Sequence, residues 1–161
     1  MAYQEDQTVK DAWVDSLADL LETITEANGY KTDVKKVYTE EPQIDKLAEL
    51  PAIVVYVGAD STIRRPSGLH WKRCLVTLTV YLFSQENIQQ AERDAEADIE
   101  RLIYGDRYTT GIGFSLNGKC FECNITNVDP FGTLSERPNG GIDVLLQVDY
   151  HQKDADPTQL A

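Results

Sequence analysis

The sequence predicts an α+β fold: a single, mostly antiparallel (mixed) β-sheet of four to six strands, with two main helices packed on one face. Two strand-like runs, Pro51 to Gly58 and Trp71 to Phe83, stand between two amphipathic helical segments, and the last third of the chain returns to strand periodicity. Because the helices cover one face only, the other face of the sheet is predicted to be polar.

The chain has the size of one domain. Its 161 residues are enough to bury roughly two-thirds of the surface that the unfolded chain exposes. No internal repeat and no linker composition interrupts the sequence. We therefore predict a single domain over residues 1–161, in which residues 1–8 and 153–161 are flexible or partner-bound tails.

The first helix is predicted from about Val9 to Asn28. Thr8 and Asp11 form a Thr-x-x-Asp start signal, and Gly29 occupies the position of a left-handed C-terminal cap. One side of this helix is apolar, with Trp13, Leu17, Leu20, Leu21 and Ile24. The other side is acidic, with Asp11, Asp15, Asp19, Glu22 and Glu26. Carboxylates at this spacing can bind a metal or act in acid–base chemistry, but a charge run on a helix is more often a solvated face.

A short strand at Val34 to Tyr38 and a helical turn at Ile44 to Leu50 are predicted next. The continuous apolar run Ala52 to Val57 indicates a central strand that is covered on both faces. The strand Trp71 to Phe83 is the clearest in the chain, because its even positions form an apolar core face with Cys74, Val76, Leu78, Val80 and Leu82. Its odd positions mix polar and apolar side chains, which suits contact with something besides water.

A second helix is predicted to start near Ser84 and to end before Gly105, with an acidic outer face that carries Glu92, Glu96 and Glu100. Asn117-Gly118 then predicts a β-hairpin, whose returning strand places Phe121, Cys123 and Ile125 on one face. The last strand has a core face with Ile142, Val144, Leu146, Val148 and Tyr150, and an opposite face with Asp143, Gln147, Asp149 and His151. The polar tail from Lys153 to Ala161 is predicted to be mobile in isolation.

The composition argues against several function classes. The net charge is −12 and the isoelectric point is about 4.5, which disfavours nonspecific binding of duplex DNA, because that affinity comes from neutralising phosphates. The same charge suits a surface past which DNA slides without sticking. No apolar run approaches the ~18–20 residues of a membrane helix, and the polar segment Met1 to Lys10 predicts no signal peptide. Three cysteines without such a signal argue against a disulfide framework.

No arrangement of residues predicts catalysis. Cys120-x-x-Cys123 resembles a redox motif, but a redox pair normally sits at a helix N-terminus, whereas this pair is predicted in a strand, where its members face opposite sides. A zinc site would need two further ligands from Cys74, His70 and His151. We interpret His70 as a loop residue and His151 as a strand-end surface residue, and we expect no cofactor, no metal and no enzymatic activity.

Positive charge collects in one predicted loop, Asp60 to Lys72. The loop and the residue after it contain what we call the basic segment: Arg64, Arg65, His70, Trp71, Lys72 and Arg73. One interpretation is a solvated β-hairpin tip. The other is an arm that reaches an acidic neighbour, with Arg and Trp as interface anchors. Self-association fits the second, because a basic arm on one copy meets the acidic helix of the next. Nucleic-acid contact is the weaker alternative, since the segment lacks the charge density of a binding face.

The order of elements also resembles a known family. The elements that carry the resemblance are a helix closed by Asn28-Gly29-Tyr30, a strand near Thr32 to Val37, a strand opened by Leu50-Pro51-Ala52 into Val57, a long strand from Arg73 to Phe83, an Ala/Glu-rich helix from Ala91 to Ile103 and a closing strand from Val144 to Tyr150. Over about Val9 to His151, this layout resembles the tail terminator proteins of long-tailed bacteriophages and the related tail-completion proteins of the head–tail neck.

The resemblance implies a structural virion protein of the tail or neck, assembled in the host cytoplasm. Such a protein forms a homo-hexameric ring that caps the tail tube, ends its polymerisation and offers a docking face to the head. The implied partners are further copies of the chain, the tail tube protein, a head–tail connector or neck protein and, in a contractile tail, the sheath. The genome would pass through the lumen without specific binding, and no membrane is involved. The alternatives are another head–tail adaptor of the same virion, and a small enzyme or metal-binding protein.

Overall fold

The fold is built on one β-sheet. The computed structural model describes residues 8–40, 49–64, 69–82, 88–130, 140–153 and 156–160, and within them it contains two α-helices and six strands. The helices are α1 (Val9–Glu22) and α2 (Ile88–Tyr104). The strands are β1 (Lys36–Tyr38), β2 (Ala52–Arg64), β3 (Leu69–Tyr81), β4 (Glu122–Pro130), β5 (Gly141–Lys153) and β6 (Asp156–Leu160).

The sheet is mixed but mostly antiparallel, as predicted. Its main path runs β1-β2-β3-β5-β4, and β6 pairs with the end of β5. Among the described strands, the pair β1–β2 is parallel and the other pairs are antiparallel. Both helices contribute their buried side chains to the same core cluster as one face of the sheet. The predicted α+β architecture, with two helices on one face of a single sheet, is therefore confirmed.

Side-chain alternation along β3 and β5 creates the core. The predicted core positions of β5 are at most 1% exposed, and those of β3 at most 1% over its paired length. Trp13 of α1 is also fully buried, and its ring centroid lies 5.7 Å from that of Tyr150. Each such side chain contributes roughly 1.5–3 kcal/mol through the apolar surface it removes from water. The period-two pattern thus identified the core face of both strands correctly.

α1 begins as predicted and carries an exposed acidic face. The Thr8 hydroxyl accepts a hydrogen bond of 3.0 Å from the backbone N–H of Asp11, so the predicted N-terminal cap is confirmed. The side opposite the core is exposed to solvent and carries four carboxylates, which we call the acidic face of α1: Asp11, Asp15, Asp19 and Glu22.

α1 ends earlier than predicted, at Glu22 rather than Asn28. The Thr23 hydroxyl donates to the carbonyl of Leu20 at 2.6 Å, a local side-chain bond that competes with helix continuation. Gly29 does adopt the predicted left-handed conformation, with φ of +85°, but it closes a short 3-10 helix at Glu26–Asn28 and not α1 itself.

Asp98 attaches the loop after α1 to α2. Its carboxylate is 4% exposed and accepts the backbone N–H groups of Lys31 and Thr32 at 3.1 and 2.6 Å. On the same helix, Arg101 donates to the carbonyl of Gly29 at 2.7 Å. Two charged side chains of α2 therefore satisfy three backbone groups of one loop, which fixes α1 relative to α2.

The predicted acidic outer face of α2 is wrong at its first member. Glu100 is exposed and Glu96 is partly exposed, but Glu92 is only 4% exposed. The cause is the chain that enters β5, since a Cβ on Gly140 would lie 2.2 Å from Cγ1 of Ile88 and 3.5 Å from Oε1 of Glu92. This close approach of a distant segment is not visible in the periodicity of the helix.

β2 and β3 form a longer hairpin than predicted. β2 extends to Arg64 instead of ending at Val57, and β3 starts at Leu69, so most of the predicted loop Asp60 to Lys72 is strand. Only residues 52–55 of β2 are buried on both faces as predicted. The pairing continues because a bulge beside Gly58 absorbs the irregular register.

The predicted β-hairpin at Asn117-Gly118 is wrong, although the turn is present. These two residues have positive φ, +60° and +77°, but the segment before them consists of turns and not of a strand. Its hydrogen bonds are local, as in the bond of 2.7 Å from the N–H of Asn117 to the carbonyl of Ile112. The turn at Asn117-Gly118 was therefore predicted correctly, whereas the strand predicted before it was not.

The remaining boundaries differ in smaller ways. β1 covers Lys36–Tyr38 instead of starting at Val34, and α2 ends at Tyr104 as predicted. The tail, predicted to be mobile from Lys153, contains strand β6, which pairs with the end of β5. The predicted helix start near Ser84 and most of the helical turn at Ile44 to Leu50 lie outside the described residues.

We predict that Asp98→Ala lowers the free energy of unfolding by about 2–3 kcal/mol, because it leaves the buried backbone N–H of Thr32 and the part-buried backbone N–H of Lys31 without an acceptor. Urea unfolding followed by circular dichroism measures the effect. Asp94→Asn is the matched control, since Asp94 reaches Lys31 only at 3.7 Å on a more exposed surface and should cost less than about 0.5 kcal/mol. Equal losses in both variants would contradict the role assigned to Asp98.

Candidate interaction surface

The face of the sheet opposite the helices, which we call the open face, exposes apolar side chains on a central strand. Leu75 belongs to β3, which lies between β2 and β5, yet it is 54% exposed. In a two-layer domain the sheet face opposite the helices is open to solvent, and its side chains are usually polar. The open face therefore combines an exposed leucine with polar side chains such as Thr77 and Gln147, which agrees with the mixed odd positions predicted for β3.

An aromatic group stands at one end of the open face. The ring of His151 stacks on Phe121, with centroids 5.4 Å apart and an interplanar angle of 15°. Trp71 meets both rings edge-on, at 5.5 Å from His151 and 6.0 Å from Phe121. Phe121 remains 57% exposed, so the group presents a wide apolar surface beside polar ring edges.

An ion pair next to the aromatic group neutralises a buried carboxylate. Arg73 donates from Nε and from its terminal nitrogen to the two carboxylate oxygens of Asp149, at 2.9 and 3.1 Å. The Asp149 side chain is only 1% exposed, whereas that of Arg73 is 37% exposed. The hydrogen bonds to Asp149 raise the pKa of the guanidinium. Asp149 thus orients an arginine whose outer part still faces solvent.

The basic segment does not form one patch. Trp71 and Arg73 lie on the open face, while His70 and Lys72 alternate to the face that carries the helices. The backbone of Arg64 ends β2 opposite Trp71. Arg65 lies outside the described residues. Strand alternation therefore divides the residues that the sequence grouped together.

Charge on this hairpin is also used inside the molecule. Asp60, the first residue of the predicted loop, binds Lys10 of α1 at 3.0 Å. The same ammonium lies 3.5 Å from the carbonyl of Gly58. The hairpin is thereby attached to the start of α1 at Gly58 and Asp60, so it is not a free arm at these residues.

The cysteines are inert core residues. Cys74, Cys120 and Cys123 are free thiols, and each is at most 7% exposed. Burial raises the pKa of Cys74 and of Cys123 to about 12, and it raises that of Cys120 further. A reactive thiol needs a lowered pKa. The prediction that Cys123 is a core residue is confirmed, while Cys120 precedes β4 instead of lying in a strand.

Within the described ranges, no group of three or more His, Cys, Asp or Glu residues is arranged to hold a metal. No α-helix in that part of the chain is long and apolar enough to cross a membrane. The geometry of the open face, with stacked rings, an exposed leucine and an oriented arginine, suits contact with another macromolecule.

A family model described as the bacteriophage tail tube terminator protein matches residues 4–156 of the chain. The chain belongs to this family. A search among curated proteins found no match. The resemblance seen in the order of elements is thus confirmed, and the protein is of a structural, virion-tail family.

Sequence patterns missed two members of this surface. Phe121 was predicted to lie on the same strand face as Cys123, but β4 starts only at Glu122, so strand alternation does not fix the direction of the Phe121 side chain. Asp149 was predicted to be one polar residue among several, but it is buried under Arg73. The burial of Asp149 could have been predicted from the opposite charges of Arg73 and Asp149. That prediction needs the pairing of β3 with β5, which places the two residues opposite each other.

We predict that Arg73→Met lowers the urea midpoint, because it leaves the buried Asp149 carboxylate without its cation. The double variant Arg73→Met/Asp149→Leu should recover part of the loss. Lys35→Met is the control, since it breaks the exposed pair with Asp33 and should change little. A double variant no more stable than Arg73→Met would argue against an uncompensated charge as the cause.

We also predict an alkaline loss of stability through Cys123. Burial holds its thiol neutral in the folded chain, whereas the unfolded thiol ionises near its ordinary value of 9.0, so the folded state binds the extra proton between pH 9 and about 12. The contribution is complete below pH 9 and falls by about 1.4 kcal/mol per pH unit above it. In urea titrations from pH 8 to 11, Cys123→Ala should flatten this decline by that amount. An unchanged slope would refute the assignment.

Proposed function

We propose that this protein forms a hexameric ring that caps the tail tube, terminates its polymerisation and provides the surface on which the head docks. The family match over residues 4–156 carries the proposal. The ring places the protein at the tail–neck junction of the virion, after assembly in the host cytoplasm. Its partners are further copies of itself, the tail tube protein, the head–tail connector and, in a contractile tail, the sheath.

The open face supports a role in assembly. Exposed apolar side chains on a folded domain mark interaction sites when they cluster, and arginine and aromatic residues dominate such contacts. Here Leu75 and Phe121 are exposed and Arg73 is oriented by Asp149. We therefore propose that the open face contacts another subunit or another partner. Trp71 and Arg73 are the residues of the basic segment that lie on this face. Arg64, Arg65, His70 and Lys72 remain proposed contacts.

The charge of the chain supports passage of DNA without binding. The net charge is −12, and exposed carboxylates also lie outside the acidic face of α1, as at Glu26 and Glu100. Repulsion between these carboxylates and phosphates would keep the genome from adhering to the ring.

Two measurements test the ring and its action. Light scattering and negative-stain imaging should show hexameric rings, free or at the ends of tail tubes. A phage that lacks the protein should produce overlong tails. Tails of normal length that fail to join heads would instead indicate an adaptor elsewhere in the neck, and a monomer that ignores tubes would refute the ring.

We predict that Leu75→Glu abolishes assembly or tube capping while the domain stays folded, because the side chain is largely exposed. The control is Ala97→Glu, which adds the same charge at an exposed position of α2. Circular dichroism verifies folding, and tail-length distributions measure capping. Normal rings and normal tails in Leu75→Glu would remove the open face from the proposed contacts.

A further inference from the structure

The loop after α2, residues 105–119, is held in place by its own contacts. The Asp106 carboxylate accepts from the Thr110 hydroxyl at 2.7 Å and from the backbone N–H of Gly113 at 3.4 Å. The Asp106 carbonyl accepts the N–H of Gly111 at 2.8 Å. One aspartate thus joins both arms of the loop.

The underside of this loop is packed onto α2 and β4. A Cβ on Gly113 would lie 1.8 Å from the carbonyl oxygen of Leu102, so the loop backbone rests directly on the helix. Leu116 is fully buried. The carbonyl of Phe114 accepts the N–H of Cys123 at 2.8 Å, which ties the loop to the edge of the sheet. Little ordering entropy then remains to be lost when the loop binds a partner.

The outer side of the loop displays a cation among apolar groups. Tyr108 is 91% exposed, Ile112 is 40% exposed and Arg107 is exposed. The Arg107 guanidinium lies 4.5 Å from the ring centroid of Phe114 and 5.5 Å from that of Tyr108. A tyrosine and a stacked arginine on a pre-ordered support have the composition of an interface anchor.

The loop and the acidic face of α1 are different surfaces of the molecule. The loop is bonded to β4, the last strand of the main sheet path, whereas α1 contacts β1, β6 and α2. Two complementary surfaces at different places on one molecule are what a head-to-tail contact between identical copies requires, and such contacts form a ring when the rotation between copies closes.

We propose that the loop around Arg107 and Tyr108 docks on the acidic face of α1 in a second copy of this chain. The inference rests on the proposed ring and names one of its contacts. The partner assigned is a second copy, because the chain itself supplies exposed carboxylates on α1 that complement the Arg107 guanidinium. Such a pair would offset, at the point of contact, the repulsion between copies of net charge −12. Asp19 and Glu22, both exposed, are the carboxylates assigned to Arg107.

A charge-exchange experiment tests this contact. Arg107→Glu and Asp19→Lys should each raise the protein concentration needed for ring formation at least tenfold, measured by light scattering at low salt. An equimolar mixture of the two variants should form rings again, because alternating copies pair Glu at position 107 with Lys at position 19 and retain the native pair at the next contact. Tyr108→Ser should also weaken assembly, and added salt should weaken the wild-type ring.

Arg93→Glu is the matched control, since Arg93 is exposed elsewhere on α2 and the same charge change there should leave rings intact. Urea midpoints close to the wild type show that each variant folds. If Arg107→Glu and Tyr108→Ser both form rings as readily as the wild type, the loop–α1 contact is overturned and the proposed ring is not. If the variants form intact rings that no longer cap tubes, the loop–α1 contact is also overturned, and the loop contacts the tube protein instead. A wild-type chain that never assembles overturns the proposed ring as well.

Discussion

The uninterrupted pairing of β3 with β5 is the constraint on which the rest of the structure depends. The two strands are in register from Leu69 opposite Lys153 to Tyr81 opposite Gly141. Because side chains alternate strictly along paired strands, this single register directs every even position toward the helices and every odd position to the open face. A slip by one residue would exchange the two faces and would expose the whole core. The same register places Arg73 opposite Asp149, and the carboxylate is buried only because it meets the guanidinium there.

Carboxylates also determine how the outer elements attach to this sheet. Asp98 is buried and accepts two backbone N–H groups of the loop after α1. Asp106 is partly exposed and shapes the loop after α2 by accepting the Thr110 hydroxyl and the backbone N–H of Gly113. An acidic chain therefore uses part of its charge for internal structure and presents the rest on surfaces such as the acidic face of α1. The net charge alone does not distinguish these two uses.

The functional conclusions follow from the surfaces that remain. The chain is a bacteriophage tail tube terminator by family, and the described thiols are buried and have raised pKa values. The open face and the loop around Tyr108 carry the most exposed apolar side chains. One lies on the sheet and the other beside its β4 edge, so the two surfaces can contact different neighbours at the same time. The proposed ring, with its proposed contacts to further copies and to a tube end, needs at least two such surfaces.

The sequence by itself determined the fold class, the core faces of β3 and β5 and the cap of α1 at Thr8, because these depend on local capping and on short-range periodicity. The family was indicated by the resemblance in the order of elements. The sequence did not determine the length of the β2–β3 hairpin, the burial of Glu92 or the position of Phe121. Only the tertiary structure decided these features. Glu92 is buried by Gly140, a residue far along the chain, and the basic segment is divided by a strand pairing that joins distant positions. Contacts between residues remote in sequence leave no periodic signal, so composition and spacing alone did not reveal them.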